Sequence, residues 1–195
     1  YEDVAVPPPG PGEARIRHTA AGVNFIDVYQ REGRYPVAKH PAVLGAEGVG
    51  VVEAIGSGVT EVAVGQRVGY ALRAPGSYSE VRNVPATACV AIPDEVADDV
   101  AAVLMLKGMT AEYLLHRTHT VRPGDTILVH AAAGGMGLLL CQWGKALGAR
   151  VFGTTSTPGV FSWTSISSLT RARPMPTPWS TGRGSAGTSG AAGAP

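Results

Sequence analysis

The chain has 195 residues, a length that suggests one or two domains. Its 16 lysines and arginines nearly balance 15 acidic residues, and a net charge of +1 indicates neither a nucleic-acid partner nor an acidic target surface. No apolar run is long enough for a transmembrane helix, so the sequence indicates no membrane association.

Short strands and glycine turns are predicted for residues 1–95. Ala14, Ile16, His18 and Ala20 alternate with polar residues, which is typical of a half-buried strand. A second strand is predicted from Val49 to Ile55, and the glycines after it mark turns at 56–58 and 64–66. Many short strands separated by glycine turns favour a β-barrel.

A helical region is predicted after Pro93. Asp98 or Asp99 is expected to cap a helix that runs to Leu106. Gly108 is expected to interrupt it, and the helix is expected to resume over residues 110–117.

Residues 124–145 contain the most specific pattern in the chain. A turn at Pro123 and Gly124 leads into an apolar strand at 127–129, then a loop of small residues, then a helix with an apolar stripe. The stripe is predicted to consist of Met136, Leu139, Leu140, Trp143 and Leu147. Strand, tight turn and helix in this order form the unit that holds the pyrophosphate of a dinucleotide.

The loop residues predict how a cofactor is held. Ala132, Gly134 and Gly137 occupy the three positions of a Gly-x-Gly-x-x-Gly pattern. Gly134 lets the backbone approach a phosphate, and Gly137 lets the helix pack tightly on the strand. Free N–H groups of the first helical turn favour an anion, so Gly135 and Met136 join the predicted cofactor-binding residues.

The end of the second strand favours NADPH. An NAD site usually has an Asp or Glu about 20 residues after the first glycine, where it holds the ribose hydroxyls. Here the predicted strand at 150–153 is followed by Thr154, Thr155 and Ser156, and the chain has no acidic residue after Asp125. Hydroxyl groups can bond to a 2′-phosphate, which a carboxylate would repel, so these three residues are predicted to bind NADPH.

The two cysteines predict neither a disulfide framework nor a zinc finger. Cys89 and Cys141 are distant in sequence and belong to no Cys-x-x-Cys motif. We expect both to be ordinary buried residues, which fits a reducing, cytoplasmic location.

The composition changes at Pro158. Residues 158–195 contain no Asp, Glu or Lys and are dominated by Ser, Gly, Thr, Pro and Ala. They are expected to be either a disordered low-complexity extension or an out-of-frame translation of a GC-rich gene, of which the second is favoured.

Several separated motifs resemble the zeta-crystallin-like quinone oxidoreductases of the medium-chain dehydrogenase/reductase superfamily. They are the 124–145 run, the Ala-Gly-Val-Asn-Phe-Ile-Asp segment at 21–27, the Leu-Gly-Ala-Glu-Gly-Val-Gly segment at 44–50 and the Leu-Lys-Gly-Met-Thr-Ala segment at 106–111. The resemblance covers roughly the first four-fifths of the chain.

The resemblance implies an α/β fold with a β-barrel. A GroES-like substrate domain is expected at 1–95, the inter-domain helix and the start of a Rossmann domain at 96–157, and a tail unlike the family at 158–195. Because the chain begins at Tyr1 and its first residues resemble the interior of the family's first strands, a missing N-terminus is expected. The family's homodimer interface is expected to be absent from this chain.

Metal-free chemistry is also expected. Related alcohol dehydrogenases place a zinc-binding Cys and His where this chain has Asn24 and Ala46. Glu47 is therefore expected to serve as a structural hydrogen-bond acceptor near the cleft. The paired His116 and His119 are interpreted as exposed residues near a helix end rather than as ligands.

The expected activity is transfer of reducing equivalents from NADPH to a quinone. The resemblance suggests that Asn24 bonds the nicotinamide or a substrate oxygen, that Tyr29 lines the cleft and donates a proton, and that Thr110 lies near the nicotinamide amide. The residues alone leave ordinary turn capping, packing and helix capping as alternatives for these three.

Two other functions remain open. One is NADPH-dependent reduction of an alkenal or enone on the same scaffold. The other is an inactive, unstable fragment that binds a nucleotide at most, because only two strands of the expected parallel sheet can be read from the sequence.

Overall fold

The computed structural model describes residues 3–38, 40–72 and 74–156. Both predictions for residues 158–195, a disordered extension or an out-of-frame segment, concern residues that lie outside this described part. Of the described helices, none has the length and apolar character that crossing a membrane requires.

An antiparallel sheet of five strands forms the first part of the chain. Its strands are β1 (Glu13–Gly22), β2 (Glu47–Ile55), β3 (Arg67–Ala71), β4 (Val81–Pro85) and β5 (Val90–Ala91), and their spatial order is β4-β1-β2-β3-β5. The first two include the strands predicted from the sequence. A short helix, α1 (Phe25–Arg31), follows β1, and a 3-10 turn (Ala86–Ala88) precedes β5.

The alternation seen in the sequence reflects the core of this sheet. Ala14 and Ile16 are fully buried, together with Val52, Val68, Tyr70 and Val84 of the neighbouring strands. Burial of a Val or Ile side chain contributes about 1.5–3 kcal/mol, so this cluster accounts for much of the sheet's stability.

A long helix connects the sheet to the second part of the chain. This helix, α2 (Asp98–Glu112), packs Ala101 and Ala102 against Val49 of β2 and continues into a π-helical turn (Tyr113–Thr118). The predicted interruption at Gly108 is wrong, because the helix runs through that residue. A glycine inside a helix costs only about 1 kcal/mol, which packing against the sheet offsets.

The predicted cap of α2 is also wrong. Ala97 is the N-cap residue, and the first turn includes Asp98 and Asp99. The carboxylate of Asp98 instead accepts a hydrogen bond from the Thr19 hydroxyl at 2.5 Å and pairs with Arg67 at 3.1 Å. Its side chain therefore ties the helix to the sheet.

The second part begins a parallel α/β unit. Strands β6 (Thr126–Val129) and β7 (Arg150–Gly153) pair in parallel, and helix α3 (Gly135–Ala146) crosses between them. The buried face of α3 centres on Gly137 and Gly144, with Leu140 and Cys141 packed beside them, whereas the predicted stripe residues Met136, Leu139, Trp143 and Leu147 are only partly buried. Glycines bring the helix close to the strands, and this shifts the contact face from the predicted apolar stripe.

Candidate active site

The loop after β6 is shaped by two backbone features. Ala131 has φ = 52°, in the left-handed region, and the N–H of Gly134 donates to the Ala131 carbonyl at 2.8 Å. Gly134 is the N-cap of α3, so the backbone N–H groups of Gly135, Met136 and Gly137 form the first helical turn. These N–H groups lack intrahelical partners and point from the positive end of the helix dipole.

Gly137 explains why the loop and helix fit together. A Cβ atom at this position would lie 2.3 Å from the Ala131 carbonyl oxygen and 2.5 Å from the Ala132 Cα. These are backbone atoms, which cannot move aside as a flexible side chain can. Gly137 therefore permits close packing of α3, but against the loop after β6 rather than against the strand as expected.

The ends of the two parallel strands are tied together beside this loop. The Ala132 N–H donates to the Thr154 carbonyl at 2.9 Å, and the Thr154 N–H donates to the Val129 carbonyl at 3.0 Å. The Thr154 hydroxyl also lies 3.1 Å from His130 Nδ1. Thr155 and the exposed Ser156 follow at the same edge. The predicted cofactor residues of the loop and of the second strand are therefore adjacent.

A buried carboxylate joins β2 to α2 and to the residue that begins α1. The Glu47 side chain is fully buried, and its Oε1 accepts a hydrogen bond from Asn24 Nδ2 at 2.7 Å. Its Oε2 accepts the backbone N–H of Leu106 at 2.6 Å. Lys107 Nζ lies 3.6 Å from Glu47 Oε1 and donates to Asn24 Oδ1 at 2.8 Å. We call these three side chains the Asn24–Glu47–Lys107 cluster. The expectation that Glu47 is a hydrogen-bond acceptor is confirmed.

Asn24 also begins helix α1. Its backbone N–H donates to Asp27 Oδ2 at 2.8 Å, and the Asp27 N–H donates back to the Asn24 carbonyl at 3.1 Å. The Tyr78 hydroxyl donates to the same Asp27 oxygen at 2.7 Å. Burial, reinforced by this hydrogen bond to Asp27, raises the pKa of Tyr78 well above its ordinary value. These contacts fix the position of the Asn24 backbone.

Tyr29 and Thr110 lie near these groups in sequence but make different contacts. The Tyr29 ring packs against Tyr35 and Phe25, with ring centroids 5.6 and 6.4 Å away, and against the Arg34 guanidinium at 5.7 Å. The Thr110 hydroxyl donates to the Leu106 carbonyl within α2 at 2.8 Å. The proposed roles of both residues stay predictions.

Lys107 and Tyr78 were not predicted as site residues. The one available signal was a lysine in the otherwise apolar run from Val100 to Met109, because a cation in such surroundings is expected to be paired. Tyr78 lies in an irregular segment with no periodic pattern, and its contact with Asp27 depends entirely on tertiary structure.

Lys107 also links the Asn24–Glu47–Lys107 cluster to the loop after β6, the predicted cofactor loop. A Cβ atom at Gly135 would lie 3.2 Å from Lys107 Cε and 3.3 Å from its Cδ. The lysine side chain therefore passes directly over the first residue of α3 and ends at Asn24. In this way α2 brings the cofactor loop and the Asn24–Glu47–Lys107 cluster into one site.

The metal-binding potential is low in the part of the chain that the structure describes. Within residues 3–38, 40–72 and 74–156, no group of three or more His, Cys, Asp or Glu side chains is placed to hold a metal ion. Burial raises the pKa of Cys89 to about 11 and also raises that of Cys141. Both thiols are therefore protonated at neutral pH, and both are half-buried.

Residues 10–125 match the family of the alcohol dehydrogenase GroES-like domain. A quinone oxidoreductase from Pseudomonas aeruginosa is 51% identical over 158 residues, covering 81% of this chain and 49% of that protein. The crystal structure of the Escherichia coli quinone oxidoreductase complexed with NADPH has a TM-score of 0.78 and 43% identity, covering 80% of this chain and 48% of that chain. The chain belongs to the zeta-crystallin-like quinone oxidoreductase family.

Family membership confirms the expected fold class, a GroES-like domain followed by the start of a Rossmann domain. The chain spans about half the length of the curated relatives that it matches, 49% in the case of the Pseudomonas protein. A 2-haloacrylate reductase from a Burkholderia species is also similar, with 52% identity over 162 residues that cover 80% of this chain and 49% of that protein. The domain boundaries at residues 95 and 157 stay predictions.

A half-buried histidine in the GroES-like domain, His18, predicts a pH-dependent stability. His18 Nδ1 lies 2.6 Å from the Ser79 carbonyl, so Nδ1 carries the proton, and Nε2, 2.7 Å from the Tyr70 hydroxyl, accepts a hydrogen bond. Burial is the main cause that lowers the pKa of His18 below 6.5. The unfolded chain then binds the proton more readily than the folded chain, so stability is complete above pH 6.5 and falls as the pH drops below it.

Replacing His18 by glutamine is expected to weaken this pH dependence. Urea unfolding at several pH values on both sides of 6.5 measures it. The matched control is His119→Gln, because the His119 side chain is 70% exposed and its pair with Asp125 is a weak surface contact. Equal pH profiles for the His18→Gln variant and the unmodified protein would contradict the prediction.

Proposed function

We propose that this chain takes part in the reduction of a quinone by NADPH, without a metal ion in the cleft. The observation that carries this proposal is the position of Lys107, whose side chain runs from Gly135, the first residue of α3, to Asn24. A dinucleotide held at the loop would thereby have its reactive end in the same cleft as a polar side chain. The similarity to quinone oxidoreductases supports the choice of substrate class.

The loop fits a pyrophosphate. Free N–H groups in the first turn of α3 provide donors, and the absence of a side chain at Gly134 keeps the backbone open to close approach. The absence of a side chain at Gly137 lets α3 lie against the backbone of the loop. Ala132, Gly135 and Met136 complete the backbone cradle. Thr154, Thr155 and Ser156 provide hydroxyl groups at the adjacent strand end, where a 2′-phosphate would need donors rather than a carboxylate. NADPH is therefore the proposed cofactor, in agreement with the similar Escherichia coli protein that was crystallised with it.

The protein residues have orienting roles in this proposal. NADPH supplies the hydride when it is bound. Asn24 donates a hydrogen bond to a carbonyl oxygen, Tyr29 lines the cleft and provides a proton, and Thr110 lies at the nicotinamide side of α2. A quinone needs little help beyond this, because its reduced product is aromatic and its developing charge is delocalised.

A metal-free cleft follows from the same residues. Asn24 and Ala46 stand where the related zinc enzymes have their ligands, and both Glu47 oxygens already accept hydrogen bonds. The cleft then stabilises the developing negative charge through the positions of its hydrogen-bond donors. A cytoplasmic location remains a proposal that rests on the two free cysteines, and the homodimer is implied by the resemblance for the family rather than for this chain.

A second candidate function is reduction of an activated alkene such as an alkenal or enone. The similarity to the 2-haloacrylate reductase favours it, because an acrylate carries a carbon–carbon double bond beside a carboxyl group. Both candidates require the same cofactor position and the same donor to an oxygen of the substrate. They differ in which substrate atom receives the hydride.

A third candidate is an inactive chain that binds a nucleotide at most. Within the described residues, the parallel sheet has two strands, and its buried core consists of Val129, Ala132 and Val151. Leu128 of β6 is 54% exposed. A sheet of this kind is normally covered on both faces, which favours low stability for this unit.

Steady-state kinetics with the purified protein separates the three candidates. The consumption of NADPH and of NADH is measured with a simple benzoquinone and with an alkenal, before and after treatment with a chelator. We expect preference for NADPH and the quinone, with activity unchanged by the chelator. Faster turnover of the alkenal would establish the second candidate, and a folded protein without turnover of either substrate would establish the third.

The Tyr29→Phe variant tests the proposed proton donor. Loss of its hydroxyl is expected to lower kcat by roughly 100-fold, the lower end of the usual range for a general acid. Tyr35→Phe is the matched control, because Tyr35 packs against Tyr29 and is 54% exposed. Equal activity of the two variants would remove Tyr29 from the proposal.

A further inference from the structure

Lys107 has an unusual environment for a lysine. Its side chain is 23% exposed, and its ammonium group lies 2.8 Å from Asn24 Oδ1, 3.5 Å from the Val23 carbonyl and 3.6 Å from Glu47 Oε1. All three neighbours are acceptors, so the ammonium is held by oxygen atoms of two segments that precede α2. The positive charge of Lys107 also balances the charge of the fully buried Glu47.

These contacts fix the orientation of the Asn24 amide. An ammonium group can only donate hydrogen bonds, and an ionised carboxylate can only accept them. Asn24 Oδ1 must therefore face Lys107, and Nδ2 must face Glu47, because the reversed amide would place like groups against each other. Lys107 binds Oδ1, and Glu47 accepts one of the two Nδ2 hydrogens. The second Nδ2 hydrogen is then the one that Asn24 can donate to a ligand.

We infer that Lys107 is a positioning residue that makes Asn24 a hydrogen-bond donor to a carbonyl oxygen. This inference rests on the proposed function for the identity of the ligand, which would be a quinone, an enone or the nicotinamide carboxamide. Glu47 aligns the amide from one side and Lys107 from the other. Neither residue needs to touch the substrate.

Contact with Gly135 extends the role of Lys107 to the cofactor loop. The lysine stem occupies the space that a side chain at position 135 would fill, at 3.2 Å from Cε. The same side chain that orients Asn24 therefore packs on the first residue of α3. The hydrogen bond that holds the loop to Thr154 does not involve Lys107. A shift of Lys107 is therefore expected to alter the Asn24 amide and to leave this hydrogen bond intact.

The test compares Lys107→Met, Asn24→Ala and the double variant in the full chain. Methionine keeps most of the apolar stem and removes the ammonium. Lys107→Met is expected to lower kcat for quinone reduction roughly 10- to 100-fold, because a misplaced donor loses its alignment, with the KM for NADPH changed much less. The double variant is expected to be no slower than Asn24→Ala alone, because the lysine acts through the asparagine. If the double variant instead lost kcat by the product of the two single losses, the residues would act independently and the inference would be overturned.

A second measurement does not depend on activity. The side-chain amide signals of Asn24 in ¹⁵N nuclear magnetic resonance spectra, assigned by their loss in Asn24→Ala, are expected to shift and broaden in Lys107→Met. They are expected to stay unchanged in Lys145→Met, which removes an exposed lysine from the last turn of α3. Unchanged Asn24 signals in Lys107→Met would overturn the inference, whether or not the protein reduces a quinone. Shifted signals in a protein that reduces no quinone would reject only the proposed substrate.

A third variant covers the case in which Lys107→Met does not fold. Glu47→Gln combined with Lys107→Met removes both charges and leaves an amide oxygen to accept from Asn24 Nδ2. We expect this variant to fold and to show Asn24 signals that differ from those of Glu47→Gln alone. Identical Asn24 signals in these two variants would contradict a positioning role for Lys107.

Discussion

Replacing Gly137 by alanine is expected to weaken the binding of NADPH at least roughly 100-fold. The new Cβ would lie 2.3 Å from the Ala131 carbonyl oxygen and 2.5 Å from the Ala132 Cα, distances that require the loop to move away from α3. Ala131 already has a positive φ of 52°, so the loop has little freedom to adjust. Movement of the loop would misalign the N–H groups of the first helical turn, which are the proposed phosphate donors.

The size of this effect follows from the number of phosphate hydrogen bonds that one loop conformation supports. Several charge-assisted hydrogen bonds to a phosphate, each contributing about 1.5–3 kcal/mol, depend on the same backbone geometry. Losing even two of them corresponds to at least a roughly 100-fold weaker affinity. Titration of NADPH fluorescence with the purified variant measures the change.

Gly108→Ala provides a matched control for the same substitution. Gly108 also lies within a helix, but a Cβ atom there would meet no heavy atom within 4 Å. Alanine is therefore expected to stabilise α2 by about 0.5–1 kcal/mol and to leave NADPH affinity unchanged. Similar affinities of the two variants for NADPH would contradict the assignment of this loop to the cofactor.

Gly137 illustrates what local sequence rules determine. The spacing of Ala132, Gly134 and Gly137 between an apolar strand and a helix follows from backbone geometry that is set within about 20 residues. The same holds for the alternation of Ala14 and Ile16, whose burial in the first strand is confirmed. Both features depend on neighbours in sequence, and both were predicted.

Helix α2 shows where local rules fail. The sequence predicts a break at Gly108 and a cap at Asp98 or Asp99, yet the helix begins after Ala97 and continues to Glu112. Packing of Ala101 and Ala102 on β2 outweighs the low helix propensity of a single glycine. The carboxylate of Asp98 is taken by Thr19 and Arg67, residues whose proximity the sequence does not reveal.

The Asn24–Glu47–Lys107 cluster was predicted only in part. Asn24 and Glu47 were recognised through the motifs around them, and the acceptor role of Glu47 was expected. The participation of Lys107 was not expected. Lys107 lies 83 positions after Asn24 in the sequence, and its contact with Asn24 depends on how α2 crosses the sheet. A charged residue in an apolar run identifies a candidate of this kind, but only the fold identifies its partners.

Replacing Glu47 by alanine is expected to destabilise the GroES-like domain more than any other single removal of a carboxylate in it. The side chain is fully buried and accepts hydrogen bonds from Asn24 Nδ2 and the Leu106 N–H, with the Lys107 ammonium 3.6 Å away. Alanine leaves all three donors without this acceptor. Breaking a buried charged pair in this way costs about 3–5 kcal/mol, which urea or thermal unfolding would detect readily.

One variant separates the charge of Glu47 from its shape, and a second variant at another residue provides the control. Glu47→Gln keeps the volume and one acceptor oxygen, so a smaller loss of about 1–3 kcal/mol is expected. Glu53→Ala is the matched control on the same strand, because the ion pair of Glu53 with Arg17 is largely exposed and should contribute at most about 1 kcal/mol. A loss in Glu47→Ala no larger than that in Glu53→Ala would show that the buried carboxylate does not hold α2 to the sheet.

The same comparison tests how stability and the proposed chemistry are connected. Glu47 accepts hydrogen bonds from the Leu106 N–H and from the Asn24 amide with different oxygen atoms. One residue therefore fixes the positions of both Asn24 and helix α2. Glu47→Gln retains an oxygen for Asn24 but loses the attraction to Lys107. We therefore expect Glu47→Gln to lose a larger share of its turnover than of its stability, whereas a purely structural carboxylate would leave the turnover of the folded fraction intact.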